Sequence, residues 1–77
     1  MTDQQYAQNF TFLTGKTIAS VRYMTKEEAD EARWHSRPLI IRFTDGSLLI
    51  PQADDEGNDG GAMFYQGDSG ALLIHTI

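Results

Sequence analysis

The sequence predicts a small α+β domain: a curved antiparallel sheet of about four strands, forming a small, partly closed barrel, with one capped helix packed on it and a short N-terminal helix. Three observations carry this. Thr25-Lys26-Glu27-Glu28 has the form of a helix-capping box. Asp45-Gly46 separates two apolar runs in the manner of a β-hairpin turn. Residues 71–77 are apolar apart from His75 and Thr76, and a strand of that kind must be paired or it leaves a sticky edge.

In chain order, Tyr6, Phe10 and Leu13 recur at helical spacing and predict a short amphipathic helix within residues 3–13, ending near Gly15 as a C-terminal cap. Thr11 and Phe12 favour strands, so a frayed arm or an added strand are the alternatives. Residues 16–24 read as a strand. Ile18 is out of step with Val21 and Tyr23, and a bulge around Ala19-Ser20 is expected to bring all three inward. The capped helix runs from residue 26 to about 34, with the Thr25 hydroxyl accepting from the Glu28 amide and Glu28 reaching back to the Thr25 amide. Glu27 and Glu28 face the positive end of its dipole. Ala29, Ala32 and Arg33 form a narrow face suited to lying on a sheet, and Trp34 anchors the exit. Ser36-Arg37-Pro38 stops the helix, because proline restricts the residue before it.

Residues 39–44 and 47–50, joined by Asp45-Gly46, predict a hairpin with a two-residue type I′ turn. That register sets Phe43 opposite Leu48 and Ile41 opposite Ile50, all four as core. The other face carries Ile40, Arg42 and Leu49, and a helix or a second subunit is expected to cover it. Pro51 ends the strand. Residues 62–65 are expected to form a helical turn, and Gly67-Asp68-Ser69-Gly70 a turn before the last strand.

The 77 residues form one domain, 1–77. A chain this short buries only about 60% of the surface it exposes when unfolded. It has no cysteine, hence no disulfide and no thiolate zinc site to stabilise it. Association is the remaining device, and a homodimer is expected. The net charge of -5 disfavours nucleic acid as a partner, and Lys16, Arg22, Lys26, Arg33, Arg37 and Arg42 are scattered rather than clustered. Residues 1–5 lack the charged and apolar regions of a secretory signal, and no apolar run approaches the ~18 residues of a membrane span. A cytoplasmic protein without a membrane partner is expected.

The segment 51–65 combines Asp54, Asp55, Glu56, Asn58 and Asp59 with three glycines and an apolar close at Ala62-Met63-Phe64-Tyr65. A calcium hand needs glycine at its sixth position and glutamate at its twelfth. Counting from Asp54 gives Asp59 and Tyr65, and counting from Asp55 puts Gly57 third and Gln66 twelfth, so both registers fail. A looser oxygen site for calcium or magnesium would use Asp54, Asp55, Glu56 and Asp59, and these four with Asn58 are the candidate ligand-binding residues. The competing reading is structural: Asp54, Asn58 and Asp59 can form Asx-turns and Asp59 can cap the turn at Gly60. Paired carboxylates can also do acid–base work, but nothing in the pattern supplies a pocket, so no catalytic residue and no cofactor is assigned.

Gly67-Asp68-Ser69-Gly70 looks like the nucleophile motif of chymotrypsin-like proteases, but Ala71-Leu72 follows and the chain is far too short for two barrels. His35 and His75 lie forty residues apart and carry no metal-ligand spacing. Glu27, Glu28, Asp30 and Glu31 read as a solvated helix face. Trp34, Arg37 and Arg42 are candidates for a protein interface, since Trp and Arg dominate binding hot spots.

Residues 21–28 (Val-Arg-Tyr-Met-Thr-Lys-Glu-Glu), Trp34, Arg37-Pro38, Asp45-Gly46, Pro51 and residues 54–64 (Asp-Asp-Glu-Gly-Asn-Asp-Gly-Gly-Ala-Met-Phe) resemble a family of small uncharacterised bacterial proteins. That family pairs an Arg-x-Met-Thr-Lys-x-Glu block with a later Asp-Glu-Gly-Asn…Gly-Ala-x-Phe block. The resemblance covers roughly residues 13 to 65, and Met63 stands where leucine is expected. It implies a bacterial origin and a single α+β domain, and no mechanism. The resulting expectation is a non-enzymatic, homodimeric interaction module; the alternative is a small-ligand or divalent-metal-binding domain using the acidic loop.

Overall fold

The computed structural model describes residues 2–7 and 10–77. Its elements are α1 (Asp3–Tyr6), a 3-10 turn (Thr11–Leu13), β1 (Ile18–Tyr23), α2 (Lys26–Ala32), β2 (Leu39–Phe43), β3 (Leu48–Leu49), β4 (Met63–Gly67) and β5 (Gly70–Ile74). The fold is α+β with two antiparallel sheets, β1-β2-β3 and β4-β5, rather than one sheet of about four strands, and the two do not close into a barrel.

The expected N-terminal helix is broken into α1 and the 3-10 turn; its residues 8 and 9 lie outside the described set. Gln5 Oε1 accepts from the Thr2 amide at 2.7 Å, which caps α1. Gly15 takes a positive φ of 80°, the conformation that suits glycine after a helical turn. Of the helically spaced residues Tyr6 and Phe10 are exposed and Leu13 is half-buried, so most of the apolar spacing in this segment does not translate into packing.

The capping box at α2 forms as the residues dictate: Glu28 N donates to Thr25 Oγ1 at 3.1 Å, and Thr25 N donates to Glu28 Oε1 at 2.8 Å. Glu28 also takes a two-pronged ion pair from Arg22 on β1, at 2.8 and 3.0 Å. The helix ends two residues short of Trp34. Arg33 closes it in the left-handed conformation, φ 61° and ψ 39°, with its amide donating to Ala29 and Asp30.

Strands β1 and β2 pair as Ile18 with Phe43, Ser20 with Arg42, Val21 with Ile41, Arg22 with Ile40 and Tyr23 with Leu39, and the shift between Ile18 and Ser20 is the expected bulge; it aligns Ile18, Val21 and Tyr23 but does not bury them, since Ile18 and Val21 are exposed and only Tyr23 is half-buried. Residues directly opposite share a face. One face therefore carries Ile18, Val21, Tyr23, Leu39, Ile41 and Phe43, and the other Ser20, Arg22, Ile40 and Arg42. The second face is where α2 lies: Met24, Ala29 and Ile40 form the buried cluster, with Trp34 and Ile50 packed against it.

The β2–β3 hairpin corrects the expected register. Ile41 pairs with Leu49 and Arg42 with Leu48. The loop has three residues, Thr44-Asp45-Gly46, with Gly46 N donating to Phe43 O, Phe43 N donating to Ser47 O, and Gly46 at φ 89°. A three-residue loop with glycine in the left-handed region competes with the two-residue turn for an Asp-Gly pair. Asp45 favours it here, because its carboxylate accepts from the Ser47 amide at 2.9 Å and pairs with Lys16. One residue of slip turns β3 over. Leu49 joins Ile41 on its face, and Leu48 is exposed beside Arg42 instead of lying in the core with Phe43. Phe43 is still buried, under the Lys16 side chain whose ammonium sits 6.0 Å from the ring centre.

Residues 63–65 are extended in β4, not a helical turn. β4 pairs with β5 in register from Met63 opposite Ile74 to Gly67 opposite Gly70, so Asp68-Ser69 is the turn and the last strand is paired as expected. Beyond β5 the backbone of Ile77 exchanges two hydrogen bonds with Arg37, at 2.7 and 3.0 Å, and Tyr23 Oη donates to His75 O at 3.0 Å. These bonds tie the base of the β4–β5 hairpin to the first sheet.

Candidate functional site

The acidic segment is a closed loop whose ends meet. Gln52 and Gly60 form an antiparallel bridge, Gly61 N donates to Pro51 O at 2.9 Å and Ala53 N donates to Asp59 O at 2.9 Å. Within it Asp54 behaves as an Asx-turn residue. Its carboxylate accepts from Glu56 N at 2.9 Å, Asn58 N at 3.3 Å and Asn58 Nδ2 at 2.9 Å. Hydrogen bonds from Asn58 hold its pKa below the usual carboxylate range.

Asp59 does something the sequence spacing did not announce. Its Oδ1 faces four donors: His35 N at 3.0 Å, Ser36 N at 3.0 Å, Ser36 Oγ at 2.9 Å and Gly60 N at 2.8 Å. It fastens the loop to the exit of α2, and the Ser36 amide is the leading cause of its lowered pKa. Trp34 Nε1 donates to Gly57 O at 2.8 Å and so makes a second fastening. No sequence signal marks this contact: Ser36 and Asp59 stand 23 residues apart, beyond the reach of local side-chain-to-backbone patterns.

The expected ligand residues thus divide. Asp54, Asn58 and Asp59 turn to their own chain, and Glu56 Oε2 meets Asn58 Nδ2 only at 3.5 Å. Asp55 is exposed. Among the described residues no three His, Asp or Glu side chains come together in a group that could hold a metal ion. Trp34 and Arg37 are both half-buried, Trp34 engaged by the loop and Arg37 by the backbone of Ile77. His35 meets the site only through its backbone amide, and His75 serves Tyr23 through its carbonyl.

The second feature is apolar and uncovered. On the three-stranded sheet the face opposite α2 leaves Ile18 and Val21 more than half exposed, with Leu49 beside them. On the hairpin, Tyr65 lies opposite Leu72 on one face, and Phe64 opposite Leu73 on the other. All four are exposed, up to 69% for Phe64. The total surface is 6036 Å² for a mass of 8.6 kDa, against about 4,700 Å² for a compact monomer of that mass, an excess of about 1,300 Å². The radius of gyration, 14.0 Å, likewise exceeds the ~11.5 Å of a compact chain of this length.

Comparison with family models, curated proteins and solved structures finds no match to this chain. No helix among the described residues is long and apolar enough to cross a membrane.

Proposed function

We propose that the chain is a small, non-enzymatic bacterial interaction module that works as a homodimer in the cytoplasm. The observations that support this are the surface excess of about 1,300 Å² and the exposed apolar side chains on both sheets, Ile18, Val21, Phe64, Tyr65, Leu72 and Leu73. Association would remove that surface from water, and a standard interface removes only about 800 Å² per partner. Trp34 and Arg37 belong to the proposal as residues at the rim of the contact. The curved, partly closed sheet expected from the sequence would then be completed between copies rather than within one. Sedimentation equilibrium between 1 and 100 μM, an ordinary concentration span for such interfaces, tests the reading. A dimer is the expected species, and a monomer throughout refutes it.

The ligand-binding alternative rests on Asp55 and Glu56, the loop carboxylates least engaged with the chain. A cation that binds only the folded state raises its melting temperature. Unchanged melting in millimolar calcium, magnesium or manganese is the outcome expected for a structural loop.

A further inference from the structure

We propose that a second copy of this chain covers the β4–β5 hairpin, the hairpin of each copy lying on the open face of the other's three-stranded sheet. This rests on the homodimer reading above and names the surfaces that form it. A two-stranded hairpin by itself is marginal in water. This one is attached to the rest of the chain at its base, through Tyr23 with His75 and Arg37 with Ile77, and makes no extensive packing with the first sheet. Both of its faces carry exposed apolar pairs, Tyr65 with Leu72 and Phe64 with Leu73, and neither strand contains a charged residue. Among the described residues it is an apolar arm, half-buried at Met63 and Ile74 near its base and exposed at Phe64, Tyr65, Leu72 and Leu73 beyond it.

The surface that fits such an arm is on the same chain. The open sheet face presents Ile18, Val21, Ile41 and Leu49, again with no charge among them. Charge beside these surfaces is limited to the Lys16–Asp45 ion pair at the Phe43 end of the face and Asp68 at the tip of the hairpin; the acids of α2 lie on the opposite side of that sheet, and those of the 51–61 loop beyond β3. A net charge of -5 on each copy therefore does not have to enter the contact. Reciprocal seating about a two-fold axis satisfies two arms and two faces in one closed dimer, whereas a one-way contact leaves an arm and a face unmatched at each pair and continues into a larger ring or a filament. The area agrees. Even half of the ~1,300 Å² excess from each copy gives about 1,300 Å² in total, within the range of specific interfaces.

The absence of cysteine from the chain makes the test clean. Leu73→Cys and Val21→Cys are prepared separately, then unfolded, mixed, refolded and oxidised. The expected result is a disulfide-linked dimer in the mixture well above either variant alone. Cross-linking of Leu73→Cys with itself but not with Val21→Cys means hairpin against hairpin, and overturns the proposal. In sedimentation, Leu73→Asp and Val21→Asp are each expected to raise the dimer dissociation constant ~100-fold, the effect of a charge in a desolvated contact. Phe64→Ser with Tyr65→Ser is the milder pair if either aspartate variant fails to fold by circular dichroism. A dimer whose dissociation constant ignores all of these changes overturns this proposal and leaves the homodimeric module standing. A wild-type monomer overturns both. Hydrogen exchange on that monomer would show whether the hairpin is covered by its own chain, if protected, or is left for a different protein, if not.

Discussion

Gly60→Ala isolates the close approach that holds the acidic loop in place. A Cβ at Gly60 would lie 2.5 Å from Pro38 Cδ and 2.9 Å from Pro38 Cγ, whereas carbon atoms in contact sit about 3.5–4.0 Å apart. Roughly 1 Å of movement is needed, and little is on offer. Pro38 is less than 2% exposed, and its carbonyl accepts from Met24 N at 2.9 Å at the junction with β1. On the other side Gly60 is bridged to Gln52 and bonded to Asp59. Overpacking of this kind costs about 1–3 kcal/mol. Gly60 does not have a positive φ, so alanine strains no backbone there and recovers about 0.4–1 kcal/mol by restricting the unfolded chain. The steric term wins, leaving a net loss of about 1–2 kcal/mol. For a chain of this size that lowers the melting temperature by about 4–16 °C. Urea unfolding at one fixed protomer concentration reads it as a lower midpoint at unchanged slope. Asp55→Ala, on the exposed side of the same loop, serves as the control and is expected to stay within about 0.5 kcal/mol of the parent. A Gly60→Ala protein as stable as the parent would refute the view that the loop is clamped against Pro38.

Thr25→Ala removes the acceptor for the Glu28 amide and is expected to cost about 1 kcal/mol in the same urea assay. Arg33→Gly acts in the opposite direction: it relieves a left-handed residue at the end of α2 and raises stability by about 0.5–1 kcal/mol, read as a higher midpoint. Acid sensitivity follows from Glu28, whose pKa the Arg22 hydrogen bonds lower from 4.5 to about 2. A lowered carboxylate pKa means the unfolded chain binds more protons between those values, so this contribution is full above pH 4.5 and is lost as pH falls toward 2. Asp54 and Asp59, also lowered, act in the same sense. Thermal melts across that window are expected to show Glu28→Gln losing less stability than the parent, and added salt narrowing the difference, since the pair is exposed.

The parts of the fold legible from sequence were those whose information is local. Thr25 and Glu28 satisfy each other across three residues, and the phase error between Ile18 and Val21 announces its bulge. What failed needed a comparison between neighbours of similar energy. Asp45-Gly46 fits two hairpin loops, and in the three-residue loop that forms Asp45 bonds to both Ser47 and Lys16, the latter 29 residues away and invisible to the local pattern. Residues 62–65 carry a weak helical pattern, yet Phe64 and Tyr65 extend because Leu72 and Leu73 lie opposite. At the candidate site, the tendency of Asp54 and Asp59 to serve the backbone was readable from residue type. Their partners were only half readable: Asn58 is four residues from Asp54, whereas Ser36 is 23 from Asp59. Contacts at that separation are set by the sheet, not by the segment that makes them.

The bond from Trp34 to Gly57 gives the chain an optical consequence. Trp34 is its single tryptophan, and its indole spans the seam between the end of α2 and the acidic loop. Emission from that ring reports whether the seam is shut. Its indole bonds directly to the loop, so a change in its colour records the state of the seam, while sedimentation records association. The two events can be timed separately in one sample without a dye, and their order would tell whether the clamp forms before copies meet or because they do.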